Sequence, residues 1–506
     1  MTDAILARAP RLARLADWLM TARGCFLFVS AVILALWLIR SLAFTATGGD
    51  DGEQLVFAQY FAIGYRPRNP SLYTWLVMLS QGIFGISVLA VGFVKFLSIW
   101  GTCVLLFASG RQMLGDDRFA ALAALSPLAT YFVFWDSVAG LTDSALAMVL
   151  CALTFHAFLK LRSAPHPGWY VAFGVWAGLG LLAKYGYGIF LLSLLFAALF
   201  DAISRRRVFH PGSLLAVAAM AAVVTPYGVW FAGHTGETMS MDTRFGFLDG
   251  MGYLVGAAAG ALVPLWLMLP AFFPGALRRV QDPDPDRAAL RRVIGIQLLA
   301  AMAILVVVVA VSGLKIRGYY MFVLLLLPLY FFARVQAGIW GGRALAGFAL
   351  TAAAIAVGAV GAQAGRALFE PFFCSKCERH QPYDAWSRDL RAAGFVGGTI
   401  VADWWPHPLD GNLKTRFPDA RVVSVKHPMA IPPSSEDRAA TGSCLLAWTS
   451  PERRGPVVDF ANAVFAAGIG TEHQTRSVQA PIRFTGGRHQ ATLYYLLVKK
   501  GAGQCR

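Results

Sequence analysis

Charge is what this chain has least of. Asp, Glu, Lys and Arg make up 14% of its 506 residues, against roughly a quarter in soluble domains. With 57% hydrophobic residues, the composition excludes an ordinary water-soluble protein. No repeat of fixed period and no low-complexity linker is present. No A-x-A-type site follows the N-terminal apolar run, which is itself too long for a signal-peptide core, so the first helix is expected to stay in the membrane. The formal charge of +16 does not imply nucleic acid. Most basic residues sit in short loops between apolar runs, where the positive-inside rule accounts for them.

Apolar stretches long enough to cross about 30 Å of hydrocarbon recur up to residue 364. They predict a polytopic helical bundle with about eleven spans, at 25–45, 88–109, 119–135, 143–161, 168–183, 186–203, 213–233, 251–273, 293–312, 318–334 and 343–364. Before them, residues 1–24 predict a cytoplasmic interfacial helix, with arginines at helical spacing among Leu and Trp. With the N-terminus inside, the loops RQMLGDDR, KLRSAPHPG, SRRR, RRVQDPDPDRAALRR and RVQAGIWGGR all fall on the cytoplasmic side. The transmembrane domain then covers 25–369, and its first outer loop covers 46–87. Within that loop, LYTWLVMLSQGIFGIS is apolar but short, and predicts a helix along or dipping into the outer leaflet.

Residues 370–506 predict a periplasmic α/β domain. GTIVADWW, ARVVSV, SCLLAWTS and ATLYYLLVKK read as buried strands, and EDRAA and DFANAVFAAG as connecting helices. Cys374, Cys377, Cys444 and Cys505 fall in this domain. Disulfides are favoured there over zinc, because C-S-K-C has no second CxxC partner and the periplasm is oxidising.

The residues able to do chemistry gather on the expected outer face. Asp50, Asp51 and Glu53 follow the first span, and LVFAQYFAIGY would hold them at the interface, where partial desolvation suits a carboxylate to act as general base. Arg66 and Arg68 come next, and guanidinium forks suit phosphate. Asp143, which also fits a helix cap, Lys184, Lys315 and Arg317 reach the same face, the last two beside Tyr319 and Tyr320. Glu53, Tyr65, Tyr73, Asp143, Tyr319 and Tyr320 are the expected substrate-binding residues. Acids and cations converging on one leaflet point to a site acting on a lipid-linked phosphate.

The order of DDGEQL, GYRPRNPSLYTWL, ASGRQMLGDDRFAALAALSPL, LTDSALAMVLCALTFHAF, GLGLLAKYGYGIFLL and KIRGYYMFVLLLLPL resembles the GT-C membrane glycosyltransferases. The likeness is to the branch of protein O-mannosyltransferases and lipid A aminoarabinose transferases, and the wording is nearest the rhizobial lipopolysaccharide galacturonosyltransferases. This resemblance implies inverting transfer of a sugar from a polyprenyl-phosphate donor to lipid A, a lipopolysaccharide core or a protein, in the bacterial inner membrane with the site facing the periplasm. It also implies Asp50 as catalytic base with Asp51 beside it, and Asp143 and Lys184 as matches to family positions. Where relatives often show consecutive prolines this chain has Asn69-Pro70-Ser71, so the donor-phosphate contact falls to Arg66 or Arg68, with Lys184, Lys315 or Arg317. No cofactor is required, a divalent cation is left open, no metal site is assigned, and membrane lipids but no nucleic acid are expected partners. The alternative from another class is a transporter or flippase of lipid-linked substrates. That reading asks for charges at mid-span and paired broken halves, and here the charges gather at span ends.

Overall fold

A computed structural model describes residues 10–44, 46–234, 246–276, 282–338, 340–374, 377–434, 443–470, 473–498 and 505. The chain forms two compact units. The first comprises Met1–Leu36, Pro67–Pro70 and Lys95–Gly361, and the second Trp37–Arg66, Ser71–Val94 and Ala362–Arg506. Helix dominates, with a small C-terminal sheet.

All eleven expected spans lie on helical stretches, but not all are single helices. Among the described residues seven helices are long and apolar enough to cross a membrane, or eight if Tyr187–Ala198 and Ala202–Val208 form one span bent by 119°. Pro167–Ala183 has only 17 residues. The other departures have local causes. Asp117–Leu125 passes into a tight turn at Ser126–Ala129 that contains Pro127, a residue lacking the N–H that a continuous helix needs. Phe247–Ala261 and Leu265–Phe272 are separated at Pro264, and Pro270 sits inside the second piece. The helix Ala202–Val208 starts afresh because Asp201 caps it, accepting from Ser204 N at 2.8 Å.

Within the first unit, Arg162 is buried and binds Asp201 at 3.1 Å and Asp286 at 2.9 Å. These ion pairs join the KLRS, SRRR and DPDPDR segments that charge assigned to a common side. The helix Pro10–Leu19 exposes Leu12, Leu15 and Trp18.

The second unit is built around the sheet. Its strands are β1 (Gly398–Ala402), β2 (Arg421–Ser424), β3 (Ser443–Trp448), β4 (Arg476–Pro481) and β5 (Gln490–Val498), in the order β2-β1-β3-β5-β4. β2, β1 and β3 run parallel, with Thr399 opposite Arg421 and Cys444, while β5 and β4 are antiparallel. Side chains alternate between two cores, as the strand period of two dictates. Ile400, Ala402, Leu445 and Ala447 pack with Trp386 and Leu390, whereas Val401, Leu446 and Trp448 pack with Val457 and Phe465.

The four expected strands and the helix at DFANAVFAAG, here Arg454–Phe465, are present. EDRAA lies outside the described residues. β4 is additional; it is an edge strand that buries chiefly Ala480, so its polar sequence carried no apolar run to read. Cys374 pairs with Cys377 and Cys444 with Cys505, so all four expected cysteines are in disulfides. LYTWLVMLSQGIF is a helix of 13 residues, Leu72–Phe84.

Candidate active site

The stretch GDDGEQLVF folds as helix α1, Gly49–Phe57, belonging to the second unit. Asp50 and Asp51 occupy its first turn, where the helix dipole favours negative charge, and Glu53 follows. They nevertheless have different fates. Asp50 is exposed and makes no ion pair or hydrogen bond with a described residue. Asp51 is buried and accepts from Arg40 Nη2 at 2.9 Å, the guanidinium being fully buried. Glu53 is buried too, with Oε1 bound by Arg66 Nη2 at 2.6 Å and Oε2 lying 3.3 Å from His427 Nε2. The helical period turns Asp51 about 100° from Asp50, whereas Glu53 shares the face of Asp50 and is buried there by Arg66 and His427. Asp51 and Glu53 are therefore engaged in holding the fold, which leaves Asp50 as the available acid.

A second helix of this unit, α2 (Leu409–Arg416), seats α1. The two backbones meet at glycines. A Cβ on Gly411 would come within 2.3 Å of Gly52 O, and one on Gly52 within 2.8 Å of Pro408 Cβ, so only hydrogen fits there. Asn412 Oδ1 accepts from Thr47 N at 2.8 Å. Just past α1, the Gln59 amide accepts from Val422 N and donates to Val422 O, both at 2.8 Å. That pairing occupies part of the open edge of β2, which would otherwise leave ladder groups unmatched.

Residues not anticipated from sequence stand beside α1. Trp404 follows β1 and Lys426 and His427 follow β2. Because those strands are parallel neighbours, both loops leave the same carboxyl edge of the sheet, the usual ligand edge of open α/β sheets. Trp404 abuts Gly49, whose added Cβ would lie 3.0 Å from Cζ2. Lys426 Nζ rests 3.1 Å from the Trp404 ring centre, and its charge acts on Glu53, Arg66, Asp410 and Asp50. Burial, and then Arg66 and Lys426, push the His427 pKa down to about 2, so the ring is neutral at working pH. Burial pushes Asp410 up to about 7, against the Gly411 N–H and Lys426, which favour its charged form. The only signal in the sequence was that WWPHP and KHP directly follow two apolar strands.

Other expected residues of this unit are structural in their contacts. Tyr65 is buried, stacks on Phe57 at 5.3 Å and donates to Tyr60 O at 2.6 Å. Tyr73 is fully buried and donates to Val91 O at 2.9 Å. These hydroxyls already have protein acceptors, so a substrate-binding role through them is not what the contacts favour. Arg66 lies over Phe57 as well as pairing with Glu53.

The first unit gathers a different set. Asn69 Nδ2 donates to Asp143 Oδ2 at 3.2 Å, and Lys184 Nζ donates to Ser144 Oγ at 2.5 Å. Lys184 also lies 4.8 Å from the Tyr320 ring centre, and Tyr185 donates to Pro67 O at 2.7 Å. Asp143, Lys184 and Tyr320 are thus brought together, with Asn69 reaching Asp143. Lys315 is elsewhere, 3.6 Å over Tyr253, and Arg317 and Arg68 are exposed. The Tyr319 side chain lies outside the described structure. Among the described residues no group of three or more His, Cys, Asp or Glu is arranged to hold a metal ion.

Residues 68–230 match the family model of dolichyl-phosphate-mannose-protein mannosyltransferases. The chain is 26% identical over 95% of its length to the lipopolysaccharide core galacturonosyltransferase RgtA of Rhizobium johnstonii, covering 96% of that protein. It is 27% identical over 80% of its length to RgtB of the same organism, covering 82% of it. Among solved structures, ArnT from Cupriavidus metallidurans bound to undecaprenyl phosphate superposes with a TM-score of 0.61 at 14% identity, over 94% of this chain and 98% of that one. This multi-pass membrane protein is thus similar in sequence to the protein mannosyltransferase model and to lipopolysaccharide core galacturonosyltransferases, and shares its fold with ArnT.

Proposed function

We propose that the protein is a membrane glycosyltransferase that moves a sugar, galacturonic acid by likeness to its curated relatives, from a polyprenyl-phosphate donor to a lipopolysaccharide core or lipid A acceptor. The observation that carries this reading is the division of labour on α1, where Asp50 alone among three acids is exposed and unengaged. Asp50 takes the proton of the acceptor hydroxyl as that oxygen attacks the anomeric carbon. The bond from that carbon to the donor phosphate oxygen breaks, polyprenyl phosphate departs with the electron pair, and the configuration inverts. A phosphate is already a good leaving group, so what remains is stabilisation of its negative charge by fixed cations. Arg66, Arg68, Lys184, Lys315 and Arg317 are the candidates. The reaction needs no cofactor. The reading sets the protein in the bacterial inner membrane with α1 and the sheet unit in the periplasm.

The test is product formation by the purified full-length protein in nanodiscs, given polyprenyl-phosphate sugars and lipopolysaccharide-core acceptors. Wild type forms product, and Asp50→Asn loses about a hundredfold or more in turnover, as removal of a general base implies, while retaining donor binding. Wild-type turnover by Asp50→Asn removes the assignment. Lipopolysaccharide from a deletion strain, lacking one sugar by mass spectrometry, identifies donor and acceptor together.

A further inference from the structure

The sheet unit places a cation, Lys426, beside the acids of α1. Glu53 and Arg66 satisfy one another at 2.6 Å, and Asp51 is matched by Arg40 at 2.9 Å. Lys426 forms no salt bridge with a described residue, yet its charge reaches Asp50, Glu53, Arg66 and Asp410. Its side chain is exposed at the carboxyl edge of β1 and β2, and the indole of Trp404 holds its ammonium at 3.1 Å from the ring centre. A cation seated on an aromatic face loses much of its freedom before any ligand arrives, which reduces the entropy lost on binding. Trp404 is in turn fixed against Gly49, the residue preceding Asp50.

We infer that Lys426 binds the carboxylate of the transferred uronic acid and thereby selects an acidic sugar over its neutral counterpart, with Trp404 as its positioning residue. This rests on the glycosyltransferase reading above. The chemistry favours a carboxylate because one ammonium, a compact point charge, matches one unit of negative charge. Its charge also acts on Asp50, the acid assigned to the reaction. The lysine belongs to the soluble tail, so the tail is a part of the specificity apparatus.

The experiment compares two donors differing only at C6, polyprenyl-phosphate galacturonate and polyprenyl-phosphate galactose, with full-length protein in nanodiscs. Wild type prefers the uronate. Lys426→Gln lowers kcat/KM for the uronate at least about tenfold, the worth of one charge-assisted hydrogen bond, and leaves galactose transfer unchanged. Lys426→Arg retains most of the preference, and Trp404→Leu loses part of it. Galactose turnover is the internal control for folding. Equal losses on both donors, or an unchanged preference, overturn the inference. A fall in affinity for free polyprenyl phosphate makes Lys426 a phosphate contact and overturns it as well. If wild type forms no product from any donor, the glycosyltransferase reading fails and this inference goes with it.

Discussion

Neutralising Asp51 and neutralising Asp50 should have opposite consequences, although the residues are adjacent. Asp51→Asn leaves the Arg40 guanidinium fully buried without its ion-pair partner among the described residues. Arg40 keeps only its bond to Ala46 O at 3.3 Å, and its Nε has no partner among the described residues. Breaking one side of a buried pair typically costs about 3–5 kcal/mol. At roughly 2–4 °C per kcal/mol for a unit of this size, unfolding of purified protein in detergent should begin on the order of 10 °C lower. Asp50→Asn removes an exposed carboxylate and should change stability by less than about 0.5 kcal/mol. Thermal unfolding followed by tryptophan fluorescence reads both. A double replacement, Arg40→Met with Asp51→Leu, removes both charges and should recover most of the loss. Equal melting temperatures for Asp51→Asn and Asp50→Asn refute the reasoning, as does an Asp51→Asn protein that is stable but inactive.

Two pH dependences oppose one another. The buried Asp410 carboxyl, with a folded pKa of about 7 against about 4 unfolded, binds more protons when folded, so its contribution to stability falls as pH rises from about 4 to 7. His427, held near 2 against about 6.5 unfolded, binds fewer when folded, so its contribution is lost as pH falls below about 6.5. Asp410→Asn should therefore leave a melting temperature that drops on acidification, and His427→Gln one that rises between pH 7 and 4. The disulfides should differ in weight. Cys444→Ala opens a closure of 61 residues and should cost about 4 kcal/mol, whereas opening Cys374–Cys377, three residues apart, should cost about 1–2 kcal/mol by the same chain-entropy argument. Melting with and without reductant checks this. Alanine at Arg68 or Lys184 should raise the donor KM severalfold if either binds phosphate, and an unchanged KM removes that residue from the clamp.

Composition and hydropathy made the bundle legible, and the buried runs of β1, β2, β3 and β5 revealed the sheet. Hydropathy averages over ends and breaks, so Pro127 and Pro264 did not register as interruptions although both were visible as breakers. Arg40, a lone cation near the end of the first span, was the available clue that one neighbouring acid would be consumed by a pair. Lys426 and Trp404 were not legible. Their proximity to Asp50 depends on parallel pairing of β1 with β2 and on α2 seating α1 across 365 residues of chain. Topology of that kind leaves no periodic trace.

The glycine-to-glycine crossing of α1 and α2 sets what can be exchanged between such enzymes. An acid-bearing loop and a soluble tail that interlock through Gly52, Gly411 and Gln59 form one heritable cassette. A chimera that takes the tail of one relative and the first loop of another inherits a mismatched seam, and with it a displaced Asp50. Exchanged together, Gly52, Gly411 and Gln59 keep their partners, and the seat of Asp50 is preserved.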